Sequence, residues 1–508
     1  MRRLLTFLLY VISVATLGPN KFAFAQQGAS AGVYGSVLDS QGAAVSGARV
    51  TLLHVTTNQA RTTTTDAAGE FRFPLLPVGE YRITVEHPGF KKHEQTGLLL
   101  QVNDNAKVDV RLEVGELSTQ VTVEALAATV ETSNATIKEV VDSRRVVDLP
   151  LNGRNLADLT LLVPGVQPVG PPNGDAGLSA YSAPGVKTLS VNGSRQNQLG
   201  YSLDGGDNSD NLFNGNTAFP FPDAVQEFSM VTSNAGLEVG KHSAGTVNIV
   251  TKSGTNQIHG DVFWFIRNTD LNANDFFSTS PDGQQRNQGG VTLGGPIIKN
   301  KLFLFGGYQR TWLRQIAGGG SAVTMPQPFR NGDFSSLLPG TVINDPLTGQ
   351  PFVGNIIPKS RLSPAAQNLL AYTPPPGPDG LIHYSLSTQA DTSDYVTRGD
   401  YRVTDRHNFI GRFFQENYAQ VTPWVPGNIL STRTGISAPT TSATLGYTFV
   451  ARSNLISDSH ITMTREVGNR TMPFPKTIAD LGVAIHPQSN EVNLAINGTS
   501  GLSLSTGS

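Results

Sequence analysis

Short runs of alternating apolar and polar residues, each closed by glycine, proline, asparagine or aspartate, fill most of the chain. Stretches with a 3.6-residue apolar period are scarce, so the pattern predicts a mainly β protein. Val33–Asp39 alternates, Gln41-Gly42 turns it, and Ala48–Leu53 alternates again. The threonine run Thr62–Thr65 reaches a turn at Asp66–Gly69 and then Glu70–Phe73. Pro77 to Gly79 leads into Tyr81–Val85, and Lys107–Leu112 closes the series. Six or seven short strands with turns every ~8–12 residues predict a small β-sandwich over residues 26–114. Gly69 and Gly79 are expected to hold positive φ in its turns.

After a join at residues 115–135 the texture changes. Ser190–Arg195 and Tyr201–Asn208 are small, polar and glycine-rich, and Gly245–Lys252 reads as a buried strand running into a glycine turn. At Ile258 a third texture begins, aromatic and alternating. Strands are predicted at Ile258–Arg267, Gln288–Ile297, Leu302–Trp312, Asp394–Val403, Phe409–Tyr418, Thr441–Val450 and Leu455–Val467. Their connections alternate: Ile298–Lys301, Thr404–Asn408 and Ala451–Asn454 are short, whereas Asn268–Asn287, Leu313–Ser393 and Ala419–Thr440 are long. Short periplasmic turns and long external loops are the signature of a transmembrane β-barrel. In the fourth strand Tyr395, Thr397, Tyr401 and Val403 oppose Val396, Arg398, Asp400 and Arg402, a lipid-out, lumen-in split. Both sides of Leu302–Trp312 are apolar near its start, so its lipid face stays open. Ser363 followed by Pro364 predicts a helix cap and a short helix to about Leu370.

Arg2 and Arg3 precede an apolar run from Leu4 to Leu17, and Ala23-Phe24-Ala25 supplies a small-x-small site. Residues 1–25 are therefore expected to be a signal peptide for Sec-type export; the run is shorter than the ~20 residues of a spanning helix. The chain has no cysteine, which removes disulfides, cysteine nucleophiles and thiolate metal sites together. A net charge of −2 with only 15% charged residues gives no electrostatic case for nucleic acid. His54, His87 and His93 lack a carboxylate at ligand spacing and are expected in surface loops. Asp204, Asp207 and Asp210 lack calcium-loop spacing and read as turn formers. Gly193, Gly205 and Gly206 are not followed by Gly-Lys-Ser/Thr, so they make no phosphate cradle. No catalytic constellation is present: no enzyme, cofactor or metal is expected.

Two resemblances sharpen this reading. Gly35-x-Val37-x-Asp39, Gly47-Ala48-x-Val50, Asp66-x-x-Gly69-x-Phe71-x-Phe73 and Gly79-x-Tyr81 resemble the carboxypeptidase regulatory-like domain, an accessory module without catalysis. Thr136–Asp142, Val147–Leu156, Leu159–Gly165, Leu189–Arg195, Leu203–Asn208, Ala224–Phe228 and Ser243–Gly254 resemble the plug of TonB-dependent outer-membrane receptors of the Oar-like group. Ser202 stands where that pattern has an apolar residue. The long connection, with Arg330–Ser335, Asp345–Gly349 and Asn355–Arg361, resembles the long loop of the same barrels. The resemblance implies a sandwich, a mixed α+β plug at 136–256, and the first strands of an incomplete antiparallel barrel at 257–508.

It also implies function. Gln120, Val121, Thr122, Val123 and Glu124 stand where the receptors carry a TonB box. Their alternation fits the last strand of the sandwich and a detachable partner-binding strand equally. The implied partners are a periplasmic TonB-type energy transducer, outer-membrane lipid and an unidentified external ligand, in a Gram-negative-type outer membrane. A plug of ~120 residues has a radius of gyration near ~13–14 Å and calls for a barrel of about 22 strands. Only the seven named above are legible, so a truncated product or fragment is expected. The alternative is an outer-membrane or surface adhesion protein that holds carbohydrate or protein without transport.

Overall fold

The computed structural model describes residues 30–115, 120–124, 136–169, 189–195, 198–210, 215–233, 242–274, 283–431, 433–452, 455–471, 476–477, 479–483, 493–495 and 503–505. The expected leader, residues 1–25, lies outside them. The described chain is mainly β, with few and short helices.

Alternation builds the first core. One sheet joins Glu70–Leu76 (β4), Ala31–Asp39 (β1) and Asn105–Lys107 (β7), with Val110–Leu112 (β8) also on β1. The other runs Gln59–Thr64 (β3), Arg49–His54 (β2), Gly79–Glu86 (β5), Lys92–Leu100 (β6) and Gln120–Glu124 (β9). Val33, Val37, Leu52, Phe71, Ile83 and Leu100 point inward and form one dry cluster. Gly69 and Gly79 have φ of +75° and +141°. A Cβ on Gly79 would fall 2.6 Å from His54 Nε2, so the position needs glycine for space as well as for backbone.

Three local readings change. Strand β6 gives no clear alternation, since Lys91-Lys92-His93-Glu94-Gln95 is a polar run, yet it pairs with β5 along most of its length. The expected strand Lys107–Leu112 is two strands, because Asp109 Oδ1 accepts from Ser36 N (3.1 Å) and Ser36 Oγ (2.9 Å) in place of a ladder bond. His54 and His93 are buried on β2 and β6, not in surface loops. Burial lowers the pKa of both. Only His87 keeps a loop position, its ring edge-on to Phe90.

The middle unit centres on a five-stranded sheet in the order Ile137–Asp142 (β10), Val225–Ser233 (β15), Gly245–Thr251 (β16), Leu199–Leu203 (β13) and Gly206–Asp207 (β14). Val166–Pro168 (β11) and Leu189–Val191 (β12) make a separate ribbon. The pair β13–β16 is parallel, while β10–β15 and β15–β16 are antiparallel. A short helix, Ser143–Asp148, is capped by the Asp142 side chain on Arg145 N. Val141, Leu159, Leu199, Phe228 and Ile249 share its core.

The third element is one long antiparallel sheet. It contains His259–Asn268 (β17), Gln285–Ile298 (β18), Leu302–Val323 (β19), Leu381–Thr404 (β20), His407–Thr422 (β21), Arg433–Ser437 (β22), Thr440–Arg452 (β23), Leu455–Glu466 (β24) and Asn469–Thr471 (β25). All seven strands predicted here are present. β19 and β20 run further than predicted because Leu313–Val323 pairs with Leu381–Ala390 across a glycine-rich stretch that carries no alternation. Among the described residues β17 and β24 do not pair, so the sheet stays open. Exposure settles the faces. Val262, Trp264, Leu293, Leu304, Tyr401 and Ile461 point outward, whereas Phe303, Phe305, Val396 and Phe414 are buried on the inner side. The Tyr395/Val396 split follows its sequence, and in β19 the outer side is that of Leu302 and Leu304.

The connection between β19 and β20 is ordered by its own polar residues. Arg330 Nη2 donates to Leu370 O (2.8 Å) and Thr373 O (2.7 Å). Asn355 Nδ2 donates to Phe334 O (3.0 Å) and Thr341 O (2.9 Å). Pro364–Leu370 is helical, but the Ser363 side chain makes no capping bond. Among the described residues no helix is long and apolar enough to cross a membrane, which says nothing about strands.

Candidate functional site

Strands β17, β18, β20, β21 and β24 all reach the middle unit, so the long sheet curves around it. The contact joins a dry patch, Ala218, Phe221 and Ala224 against Phe305, Val396 and Phe414, to a polar cluster. At its centre Asp204, in the turn after β13, is 1% exposed. It accepts from Thr251 N and Thr251 Oγ1, both at 2.9 Å. Arg398 on β20 lies 3.0 Å from its Oδ1, and Arg412 on β21 lies 3.5 Å from its Oδ2. Arg398 also donates to Thr251 O (2.8 Å) and to Asp400. Arg412 Nη2 donates to Thr444 Oγ1 (2.7 Å) and Leu203 O (3.3 Å). Two guanidinium groups thus clamp one turn of the middle unit onto the inner face of the sheet. Charges this buried persist only when paired, and here each has a carboxylate.

A second contact lies at the start of the unit. Arg154 pairs with Asp223 at 2.6 Å and stacks over Phe263 and Phe265, centroids 4.9 and 4.0 Å away. Arg286 Nη2 and Gln288 Nε2 donate to Gly153 O at 2.7 and 3.2 Å. A cavity of about 160 Å³ beside them is lined by Arg154, Phe221, Gln309, Asp394 and Glu416.

The middle unit is also tied to the N-terminal sheets. Glu227 Oε2 accepts from Val102 N at 2.8 Å, and Lys138 pairs with Asp104 at 2.6 Å. Burial pushes the Glu227 carboxyl up to about 7, with the Val102 N–H pulling the other way.

The predicted partner segment, Gln120, Val121, Thr122, Val123 and Glu124, is β9. It lies parallel to β6, in register from Lys92↔Gln120 to Thr96↔Glu124. β9 is the terminal strand of its sheet, so its second edge is unpaired among the described residues. The approach is fixed by Lys91 N donating to Glu113 O (2.8 Å), Gly115 N donating to Gly89 O (3.1 Å) and the Lys91–Glu113 pair. The strand is therefore joined to the N-terminal sheet rather than standing apart in a join.

Of the three aspartates read as turn formers, Asp207 accepts from Ser209 N as a turn residue does. Asp204 does far more, and nothing in its neighbourhood of sequence marks it. Its arginine partners lie 194 and 208 positions further along the chain. The one usable signal was Arg398 on the lumen-facing side of the fourth strand, a charge that needed a counterpart.

Comparison with known proteins agrees with this architecture. Residues 250–508, half of the chain, match the outer membrane beta barrel domain family, and residues 32–113 match the carboxypeptidase regulatory-like domain family. The TonB-dependent transporter Oar of Myxococcus xanthus is 29% identical over 321 residues, which is 60% of this chain and 28% of that protein. The chain thus spans about 28% of the length of this curated relative. Among solved structures, the outer membrane transporter YddB of Escherichia coli is 11% identical, covering 64% of this chain and 38% of that one, with a TM-score of 0.41. A ferric enterobactin receptor mutant of Pseudomonas aeruginosa is 12% identical, covering 65% and 41%, with a TM-score of 0.38. The siderophore receptor PirA of Acinetobacter baumannii is 14% identical, covering 65% and 44%, with a TM-score of 0.35.

Proposed function

The chain belongs to the outer membrane β-barrel domain family and is a relative of the TonB-dependent transporters, and from that premise we propose that it forms part of an energy-coupled outer-membrane receptor. Residues 136–256 are its plug, the strands from His259 onward are barrel staves, and the N-terminal sheets are a periplasmic sandwich. The receptor takes an external ligand and imports it. The observation that carries this reading is the division of the long sheet into an apolar outer face and an inner face that holds the plug through Asp204, Arg398 and Arg412. Lipid requires the first, and a plug that must move requires the second, since ionic and hydroxyl groups can be rehydrated when they part.

Energy arrives by strand addition. A periplasmic TonB-type partner pairs with Gln120–Glu124, whose outer edge is unpaired among the described residues, and pulls on a chain that reaches the first plug strand within thirteen residues, 125–136 lying between Glu124 and Ile137. Main-chain pairing grips without demanding particular side chains. The chain has no cysteine, so Thr122→Cys supplies a single thiol for the test. In cells it should form a disulfide with a TonB-type protein carrying one cysteine in its pairing strand. A receptor that reaches the outer membrane and yields no such adduct would sink the coupling mechanism.

A further inference from the structure

Between the sandwich and the short turns of the barrel lies a cavity of about 600 Å³, within the size range of ligand sites. Strands β3 and β4 form one wall, and the β18–β19 and β20–β21 turns with the facing ends of β23 and β24 form the other. Its charge is one-sided. Arg61, Arg72, Lys301, Arg402, Arg406 and Arg452 line it, against the single carboxylate of Asp405. Arg402 Nη2 donates to Asp405 Oδ1 (2.7 Å) and to Ala60 O (2.8 Å), and Arg61 Nη1 donates to Pro74 O (3.0 Å). No carboxylate in the described residues pairs with Arg72, Lys301, Arg406 or Arg452. The composition of the whole chain, nearly balanced at 37 basic and 39 acidic residues, makes this local excess the more distinctive.

Six cations around one cavity repel one another, and its lining carries one carboxylate, with Asp458 acting on Arg61 from outside it. A bound anion with several acceptor oxygens would relieve that repulsion and fit guanidinium forks bidentately. We propose that this cavity binds a phosphate-bearing anion. The short turns place it at the periplasmic rim, beside outward-facing aromatics: Phe409 and Tyr447 stack at 4.7 Å, and His407 and Phe449 at 4.9 Å. Aromatic girdles mark the level of lipid headgroups, and basic pockets at that level take anionic heads. The position therefore favours a phospholipid headgroup of the periplasmic leaflet over a phosphate compound in solution. The chemistry of the site does not depend on strand coupling at β9; only the choice of source depends on the barrel orientation.

The test uses the full chain in nanodiscs of phosphatidylcholine with a minor share of phosphatidylglycerol. Lipid that stays bound after detergent extraction is measured by mass spectrometry, and a second arm follows thermal unfolding against inorganic phosphate. The wild type should enrich phosphatidylglycerol. R72Q/K301Q/R406Q changes side chains that make no hydrogen bond or ion pair among the described residues, and should lower the enrichment about tenfold, the scale of one or two lost charge-assisted bonds. Arg49→Gln, an exposed cation of β2 away from the cavity, should leave it intact. Protection by inorganic phosphate that the triple variant loses, without lipid enrichment, supports the same site with a soluble source. Wild-type enrichment and protection in the triple variant, or neither effect in the wild type, overturns the proposal.

Discussion

The core of the N-terminal sheets and the Asp204 cluster, where the middle unit meets the long sheet, are held by opposite means, although an apolar patch around Phe221 and Phe305 lies beside that cluster. In the sandwich Val33, Leu52, Ile83 and Leu100 meet side chain to side chain with no polar atom among them. At the plug the decisive groups are Asp204, Arg398, Arg412, Thr251 and Thr444. A dry cluster is stable because separating it exposes apolar surface to water. An ionic contact gains less in place but loses less when water enters, because each group finds new partners. Under the proposed function, the difference would separate a module that stays folded from one that is released.

The largest effect should come from taking one charge out of that contact. Asp204→Ala leaves Arg398 and Arg412 facing each other without their shared carboxylate and should cost the plug seating about 3–5 kcal/mol. Limited proteolysis within the plug should accelerate while the sandwich stays resistant. Leu52→Ala is the mirror experiment: about 2–5 kcal/mol is lost from the sandwich, and plug proteolysis should not change. If both variants loosened both regions alike, the two would be one cooperative unit and the contrast would fail.

Acidity should sharpen the contrast at intermediate size. The Glu227 carboxyl has a folded pKa of about 7 against an ordinary 4.5, so the folded state binds the extra proton between those values. Stability at the sandwich–plug joint is then full below pH 4.5 and falls by about 3 kcal/mol as pH rises to 7. His54 and His93 have lowered folded values, so the sandwich loses stability as pH falls below the ordinary 6.5. The two slopes are opposite in sign. Glu227→Gln should flatten the first and leave the second, as read by hydrogen exchange at Val102 and within β2.

The smallest effect is expected at Lys91–Glu113, a 3.0 Å pair with the glutamate side chain 60% exposed. Lys91→Met should change sandwich stability by less than about 1 kcal/mol. A larger loss would mean that the staple leading into β9 contributes more than a surface pair.

Local rules were legible in the sequence wherever one strand face differs from the other. Tyr395 and Val403 against Val396 and Arg402 declared their sides before any fold was known, and Gly69 and Gly79 declared their turns. Period two fixes what alternates, and a missing Cβ fixes where the backbone can turn. The chain alone did not decide β19, where Leu304 and Phe305 are equally apolar; the inner side became Phe305 because Phe221, Ala218 and Val396 fill the space beside it. Nor did it decide what Asp204 does or where Gln120–Glu124 rests. An aspartate in a turn and a short Val/Thr run satisfy local rules in many settings, and their partners lie far along the chain. Only folding brings Arg398 to the one and β6 to the other, because charge pairing and strand pairing depend on distance in space, which spacing along the sequence does not encode.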